Sequence, residues 1–413
     1  MQSPRFRWLL AMPPGLRYNS GEEENGLALS CANRRRRLSE QGACVSKTTR
    51  TVKVGNLCIG GGAPVTVQAM TDTDTSDIAA TVAQIQELDQ AGCDLVRVAV
   101  KNVEDAEAIG HIKAEIGIPL VADIHFDYRL ALAAVRQGAD KIRLNPGNLR
   151  KPEHVEAVVS ACGERGLPIR IGVNSGSVPE SILALHEGEG DRQEQTAAAM
   201  VHAALEHIAL LERLDFRDIV VSLKAFDLRS TWLANKRFRR ERDYPVHLGI
   251  TEAGLPPAGI ARSAIGIGLL LKEGIGDTIR VSLTGDPVLQ VRVGREILQA
   301  LELNTTGITL VTCPTCGRCE IDLPALARSV EEKLRPVDAE LRRAGRSFRV
   351  AVMGCVVNGP GEARDADFGV AGGSGKGVVF VQGKVTATVP ESQLAHALVD
   401  AVRAAAAASP GGD

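Results

Sequence analysis

Lys141-Ile-Arg-Leu-Asn-Pro146, a helically spaced stretch at residues 155–162, and then Ile169-Arg-Ile-Gly-Val-Asn174 form the passage whose reading sets the fold. Two short β-branched runs flank a helical segment, the sequence form of a strand, helix and parallel strand unit. The alternation continues in both directions. Further strands are predicted at residues 63–70, 95–100, 120–124, 218–224, 247–254 and 278–285, and helical spacing recurs at residues 80–88, 260–271 and 288–301. Eight such units over roughly 260 residues match the size of a (β/α)8 barrel. Residues 48–305 are therefore expected to form an α/β fold of the TIM-barrel type.

With a period of two, Arg143 shares a strand face with Asn145, Arg170 with Gly172 and Asn174, Ser222 with Lys224, and Arg280 with Ser282. An ordinary barrel interior is filled by Val, Ile and Leu. Inward cations need a counter-charge. One solution is a structural network with Asp123, Glu252 and Asp277. The other is a bound anion at the C-terminal mouth, and this is preferred because burying charge without strong compensation is expensive.

The rest of the composition narrows the class. A chain of 413 residues suggests two or three domains. Its 48 basic and 50 acidic residues leave no cationic excess for a nucleic-acid backbone. Aromatic residues at 3% argue against an all-β sandwich or a base-stacking platform. Nine clustered cysteines point to a reducing compartment rather than a disulfide scaffold. No apolar run reaches the ~18 residues of a membrane span, so a cytoplasmic protein with no membrane partner is expected. Residues 1–47 carry Arg34-Arg-Arg-Arg37 and Glu22-Glu-Glu24 without periodicity. A disordered extension or an overlong start is preferred there to a transit peptide.

After residue 305 the pattern changes. Short runs at 308–312, 348–353, 367–370, 377–381 and 384–389, with helices at 323–334 and 391–407, predict a smaller α+β domain over 306–413. It holds Cys313-Pro-Thr-Cys316-Gly-Arg-Cys319-Glu320 and Cys355-Val-Val-Asn-Gly-Pro-Gly-Glu362. Thiols at this spacing can converge on one metal or one cluster face. Structural zinc and an iron–sulfur cluster remain equally compatible with the spacing alone.

The ordered motifs go further. Val67-Gln-Ala-Met-Thr71, Val121-Ala-Asp-Ile-His-Phe-Asp127, Arg143-Leu-Asn-Pro-Gly-Asn148, Arg170-Ile-Gly-Val-Asn-Ser-Gly176, His247-Leu-Gly-Ile-Thr-Glu-Ala-Gly254, Glu273-Gly-Ile-Gly-Asp277 and the two cysteine segments resemble the bacterial 4-hydroxy-3-methylbut-2-enyl diphosphate synthases, over about residues 48–405. The large insertion of the plant-type members is lacking, so the two-domain form is expected. The resemblance implies a [4Fe-4S] cluster held by Cys313, Cys316, Cys355 and Glu362, with Cys319 a bystander. It implies a substrate, 2-C-methyl-D-erythritol 2,4-cyclodiphosphate, and a reductive ring opening with loss of water.

A cyclic diphosphate would account for Arg97, Arg143, Arg170, Lys224 and Arg280, with Asn145, Asn174 and Ser282 as neutral donors. Glu252 is the leading candidate for proton transfer, with Asp123 and His125 secondary. Flavodoxin and ferredoxin are both compatible as electron donor. Two rival classes are a non-catalytic zinc or cluster carrier fused to a barrel, and a pterin- or phosphosugar-binding transferase with structural zinc.

A head-to-tail homodimer is also expected. An eighth helix over residues 287–303 descends about 25 Å, away from the mouth. Symmetry then places each cluster domain over the partner's barrel.

Overall fold

The computed structural model describes residues 48–144, 151–303, 306–355 and 363–408. The expectations for residues 1–47, Asn145 and Glu362 fall outside the described residues.

Strands β1 (Thr51–Val54) and β2 (Leu57–Gly60) form an antiparallel hairpin. Next come β3 (Thr66–Met70), α1 (Ile78–Gln90), β4 (Leu95–Val100), α2 (Val103–Glu115), β5 (Leu120–Ile124), α3 (Tyr128–Arg136), β6 (Lys141–Leu144), α4 (Pro152–Glu164) and β7 (Ile169–Asn174). The barrel finishes with α5 (Glu180–Leu185), α6 (Arg192–Arg213), β8 (Ile219–Lys224), α7 (Leu228–Glu241), β9 (His247–Leu248), α8 (Ala258–Lys272), β10 (Thr278–Ile279) and α9 (Pro287–Ala300).

Strands β3 to β10 make one eight-stranded sheet in the order β8-β7-β6-β5-β4-β3-β10-β9. A parallel bridge between Val221 and Val246, with Val221 N–H donating to Pro245 O at 2.9 Å, joins its two edges into a barrel. Strands such as β5 and β8 are buried along their whole length, as expected where helices cover the outer face and side chains fill the inner one. Helices start where a short polar side chain takes up an otherwise unpaired amide. Asp77, Asn102, Asp127, Asp227 and Asp286 each accept from the first turn of the helix that follows.

The N-terminal end of the barrel is plugged. Val52, Val54 and Ile59 of the hairpin pack against Leu95, Val121 and Val220, which open the inward faces of β4, β5 and β8. Among the described residues no comparable hairpin covers the C-terminal end. Two strands depart from expectation there, because β9 and β10 keep only two residues each of the predicted 247–254 and 278–285. The chain leaves the ladder at Gly249, where a Cβ would lie 2.5 Å from Arg280 O and 2.7 Å from Lys224 Nζ. It then turns through Glu252, whose φ is +55°.

The second domain is a five-stranded sheet of β11 (Gly307–Thr312), β12 (Ser347–Met353), β13 (Phe368–Gly373), β14 (Lys376–Val381) and β15 (Lys384–Pro390), in that order. The first three strands run parallel and the last two antiparallel. Helices α10 (Leu323–Arg343) and α11 (Leu394–Ala407) pack together on it through Val330, Leu334, Val337 and Leu341 against Leu394, Leu398 and Val402. Helix α10 outruns the predicted 323–334 and passes through Pro336. The buried stripe continues past the proline, and its burial outweighs the lost hydrogen bond.

Candidate active site

The strand registers fix which side chains meet inside the barrel. Parallel partners share a face, so the pairing of Asp123 with Arg143 and of Arg143 with Arg170 sets these three side by side. Gly172 pairs with Ser222 and Asn174 with Lys224, one and two steps nearer the mouth. Arg97 pairs with Val121, and Val121 with Lys141. Six cations, Arg97, Lys141, Arg143, Arg170, Lys224 and Arg280, thus share an interior into which these strands point one carboxylate, Asp123.

Asp123 serves the upper end of this cluster. It accepts from Arg143 Nη1 at 2.8 Å, lies 3.6 Å from Arg97 Nε, and has His125 Nε2 at 3.4 Å. Burial alone would favour its neutral acid, but Arg97, His125 and Arg143 outweigh that and hold the carboxyl below its ordinary range. Arg97 also donates to Met70 Sδ, at 3.1 Å from Nε and 2.9 Å from Nη2. The carboxylates expected to complete a structural network are elsewhere. Asp277 accepts from Thr49 Oγ1 at 2.8 Å and from Val246 N–H at 2.9 Å, at the plugged end. Glu252 is exposed in the turn after β9, beyond the strand end predicted for it.

The remaining cations are short of partners. Arg170 is 2% exposed and donates one long bond, 3.4 Å to Ser222 Oγ. Among the described residues, Nε of Arg143, Arg170 and Arg280 and Nζ of Lys141 have no hydrogen-bond partner. Burial followed by mutual repulsion drives Arg170, Lys141 and Lys224 well below their ordinary values, and takes Arg280 down to about 9. Backbone without side chains makes room for them, since a Cβ at Gly172 would sit 3.0 Å from Arg143 Nε. Such a cluster is arranged to receive negative charge.

The sequence-predicted residues Arg97, Asp123, Arg143, Arg170, Lys224 and Arg280 are gathered by the barrel, with Asn174 and Ser282 partly buried at the strand ends and His125 at the rim. Lys141 and His247, both fully buried, were not among them. The signal was present, because Lys141 precedes Arg143 by two residues and so shares its face.

In the second domain, β11 and β12 are parallel neighbours with Thr312 opposite Val352, so the loops starting at Cys313 and Gly354 leave the sheet side by side. Gly354 N–H donates to Cys313 Sγ at 3.3 Å, and Glu320 N–H to Gly354 O at 3.4 Å. Cys316 is exposed. Cys319 also lies against Gly354, where a Cβ would meet its sulfur at 2.6 Å, and its thiol donates to Ile321 O at 3.3 Å. Among the described residues no three His, Cys, Asp or Glu side chains form a finished metal site. The donor chemistry still suits a soft metal, with thiols on two adjoining loops and a backbone amide aimed at one sulfur.

A closed parallel barrel with a cationic interior, followed by an α+β domain carrying paired thiol loops, defines the class: a two-domain TIM-barrel protein. The chain belongs to the GcpE family: residues 49–295 match the GcpE TIM-barrel domain and residues 309–404 the GcpE protein C-terminal domain. It is 50% identical to 4-hydroxy-3-methylbut-2-en-1-yl diphosphate synthase (flavodoxin) of Thermodesulfovibrio yellowstonii, over 86% of this chain and 99% of the relative. It is 53% identical to the protein of that name from Anoxybacillus flavithermus, over 85% and 93%. A solved structure of Xanthomonas albilineans dihydropteroate synthase aligns at a TM-score of 0.45 with 17% identity, covering 62% of this chain and 97% of that one. Among the described residues, no helix is long and apolar enough to cross a membrane.

Proposed function

We propose that this chain converts 2-C-methyl-D-erythritol 2,4-cyclodiphosphate to 4-hydroxy-3-methylbut-2-enyl diphosphate. Two electrons and two protons enter, the ring opens, and one water leaves. The observation that carries the reading is the excess of buried cations over carboxylate inside a barrel open at one end. A cyclic diphosphate supplies the missing negative charge, and no neutral substrate would.

Arg143, Arg170, Lys224 and Arg280 bind the phosphate oxygens, with Arg97 held behind them against Met70 and Asp123. Asn145, Asn174 and Ser282 add neutral donors, which orient the ring without adding charge. Asp123 was expected as a secondary proton donor. Clamped as a carboxylate by two guanidiniums, it is assigned here to positioning Arg143 and His125. His125, half-exposed at the rim, and Glu252, exposed after β9, are the groups able to exchange protons with a leaving hydroxyl.

Cys313, Cys316 and Cys355, with Glu362 as an exchangeable fourth ligand, would hold a [4Fe-4S] cluster. When bound, that group supplies single electrons and a Lewis-acidic iron. Flavodoxin, which the relatives' names carry, is the proposed electron donor.

The site is assembled between two copies of the chain. Within one chain, α10 touches the barrel where α1 ends, through Arg342 Nη2 donating to Gln90 O at 3.1 Å. That contact lies towards the plugged end. The cysteine loops start at the far end of β11, ~20 Å further along. The open end carries exposed Phe126, Phe226 and Leu255, an apolar rim suited to the partner's second domain. The test of function is anaerobic turnover of the cyclodiphosphate with a chemical reductant, the product identified by mass. A colourless protein with one zinc and no turnover defeats the proposal.

A further inference from the structure

Two residues below Arg143 on β6, ~7 Å further from the mouth at strand rise, lies Lys141. It is fully buried, and Nζ has no partner among the described residues. Other polar atoms on the inward faces of β3 and β9 are unpaired too: both amide atoms of Gln68, Thr66 Oγ1 and His247 Nε2 lack partners among the described residues. The charged and titratable groups facing it are Arg97 on β4, Asp123 on β5, Arg143 on its own strand, Arg170 on β7, Lys224 on β8, His247 on β9 and Arg280 after β10. Asp123 is already engaged by Arg97 and Arg143 in the tier above. An ammonium at Lys141 therefore faces like charges with no counter-ion of its own.

This deep tier has no contact role in the proposed reaction, and it rests on the reading of the upper tier as a diphosphate site. We propose that Lys141 is a proton-uptake site coupled to diphosphate binding: a neutral amine while the barrel is empty, an ammonium once an anion occupies the tier above. One proton passes from solvent to Lys141 Nζ for each diphosphate bound, and no other bond changes. Near pH 8 the arginines contribute little, since a guanidinium keeps its proton there, Arg280 at about 9 included. His247, buried neutral beside Lys224 and Arg170, titrates too low to contribute near pH 8. Burial, then Arg170 and Arg97, push Lys141 in the direction this requires. The barrel thereby holds less positive charge when empty than its residue count implies, and acquires full charge only with its ligand.

The test is calorimetric titration of the cyclodiphosphate into the intact protein, anaerobically and without reductant, near pH 8 in two buffers of different ionisation enthalpy. Lys141→Met should lower proton uptake by about one per bound diphosphate, and should remove about tenfold per pH unit from the fall of affinity with rising pH. Lys141→Arg, always charged, should lose the same uptake while keeping tight binding, and it carries the test where the methionine variant does not fold. Uptake unchanged in the variants overturns the role of Lys141 and leaves the diphosphate site standing. Failure of the parent protein to bind overturns the diphosphate site itself, and this inference with it.

Discussion

Replacing Arg170 by methionine should move stability and activity in opposite directions. Arg170 is 2% exposed, makes one 3.4 Å bond to Ser222, and is lowered by burial and then by Arg97 and Arg143. Replacing whole buried ionic groups by apolar side chains of similar volume ranges from neutral to stabilising by about 4 kcal/mol, and a charge with no counter-ion stands at the favourable end. For a barrel of this size each kcal/mol raises Tm by about 2–4 °C, so the free variant should melt several degrees higher. The same change removes a charge-assisted contact to phosphate, about 2–4 kcal/mol of binding, or ~30- to 1000-fold in kcat/KM. The assay pairs thermal melts, with and without the cyclodiphosphate, with anaerobic turnover. The parent should gain Tm from the ligand and the variant should gain little. A variant that melts lower and keeps its kcat/KM would show that Arg170 is a structural cation, and the anion-site argument would fail.

The ligand assignment predicts that Cys319→Ser keeps iron and the broad absorbance near 400 nm, whereas Cys313→Ser, Cys316→Ser and Cys355→Ser lose both; iron analysis after anaerobic purification decides it. Glu362→Ala should retain a cluster that decays faster in air, followed spectroscopically. Mixing inactive Glu252→Ala with inactive Cys313→Ser should restore at most about a quarter of parental activity after subunit exchange; a mixture that stays dead places each site within one chain. Burial lowers His207 to about 4 and His247 well below its ordinary value, so both are neutral when folded and gain protons on unfolding as pH falls below ~6.5. Stability should therefore decline on acidification from about pH 6.5 towards 4. His207→Gln should remove one proton's worth of that slope in urea titrations.

The barrel was legible because its strands are buried on both faces and read as short apolar runs with cations interposed. Their inward face followed from the period of two, which placed Arg143, Arg170, Lys224 and Arg280 together without any knowledge of the closed sheet. Lys141 was not singled out although it opens the predicted strand 141–146 and shares the face of Arg143. The truncation of β9 and β10 was not legible either. It depends on the approach of Gly249 to Arg280 and Lys224, residues distant in the chain. The run of α10 through Pro336 reflects tertiary burial overriding a local breaker. Which carboxylate serves the cations was also beyond the sequence, since Asp277 is drawn to Thr49 and Val246 by contacts that only the folded chain creates.

The β1–β2 hairpin gives the barrel a floor, and a vessel with a floor has one doorway. On the proposed reading, substrate and product must both use it, so they take turns. Traffic at the doorway then sets an upper limit on turnover that no improvement in the chemistry within can exceed. A bulky anion lodged there would block entry and exit alike.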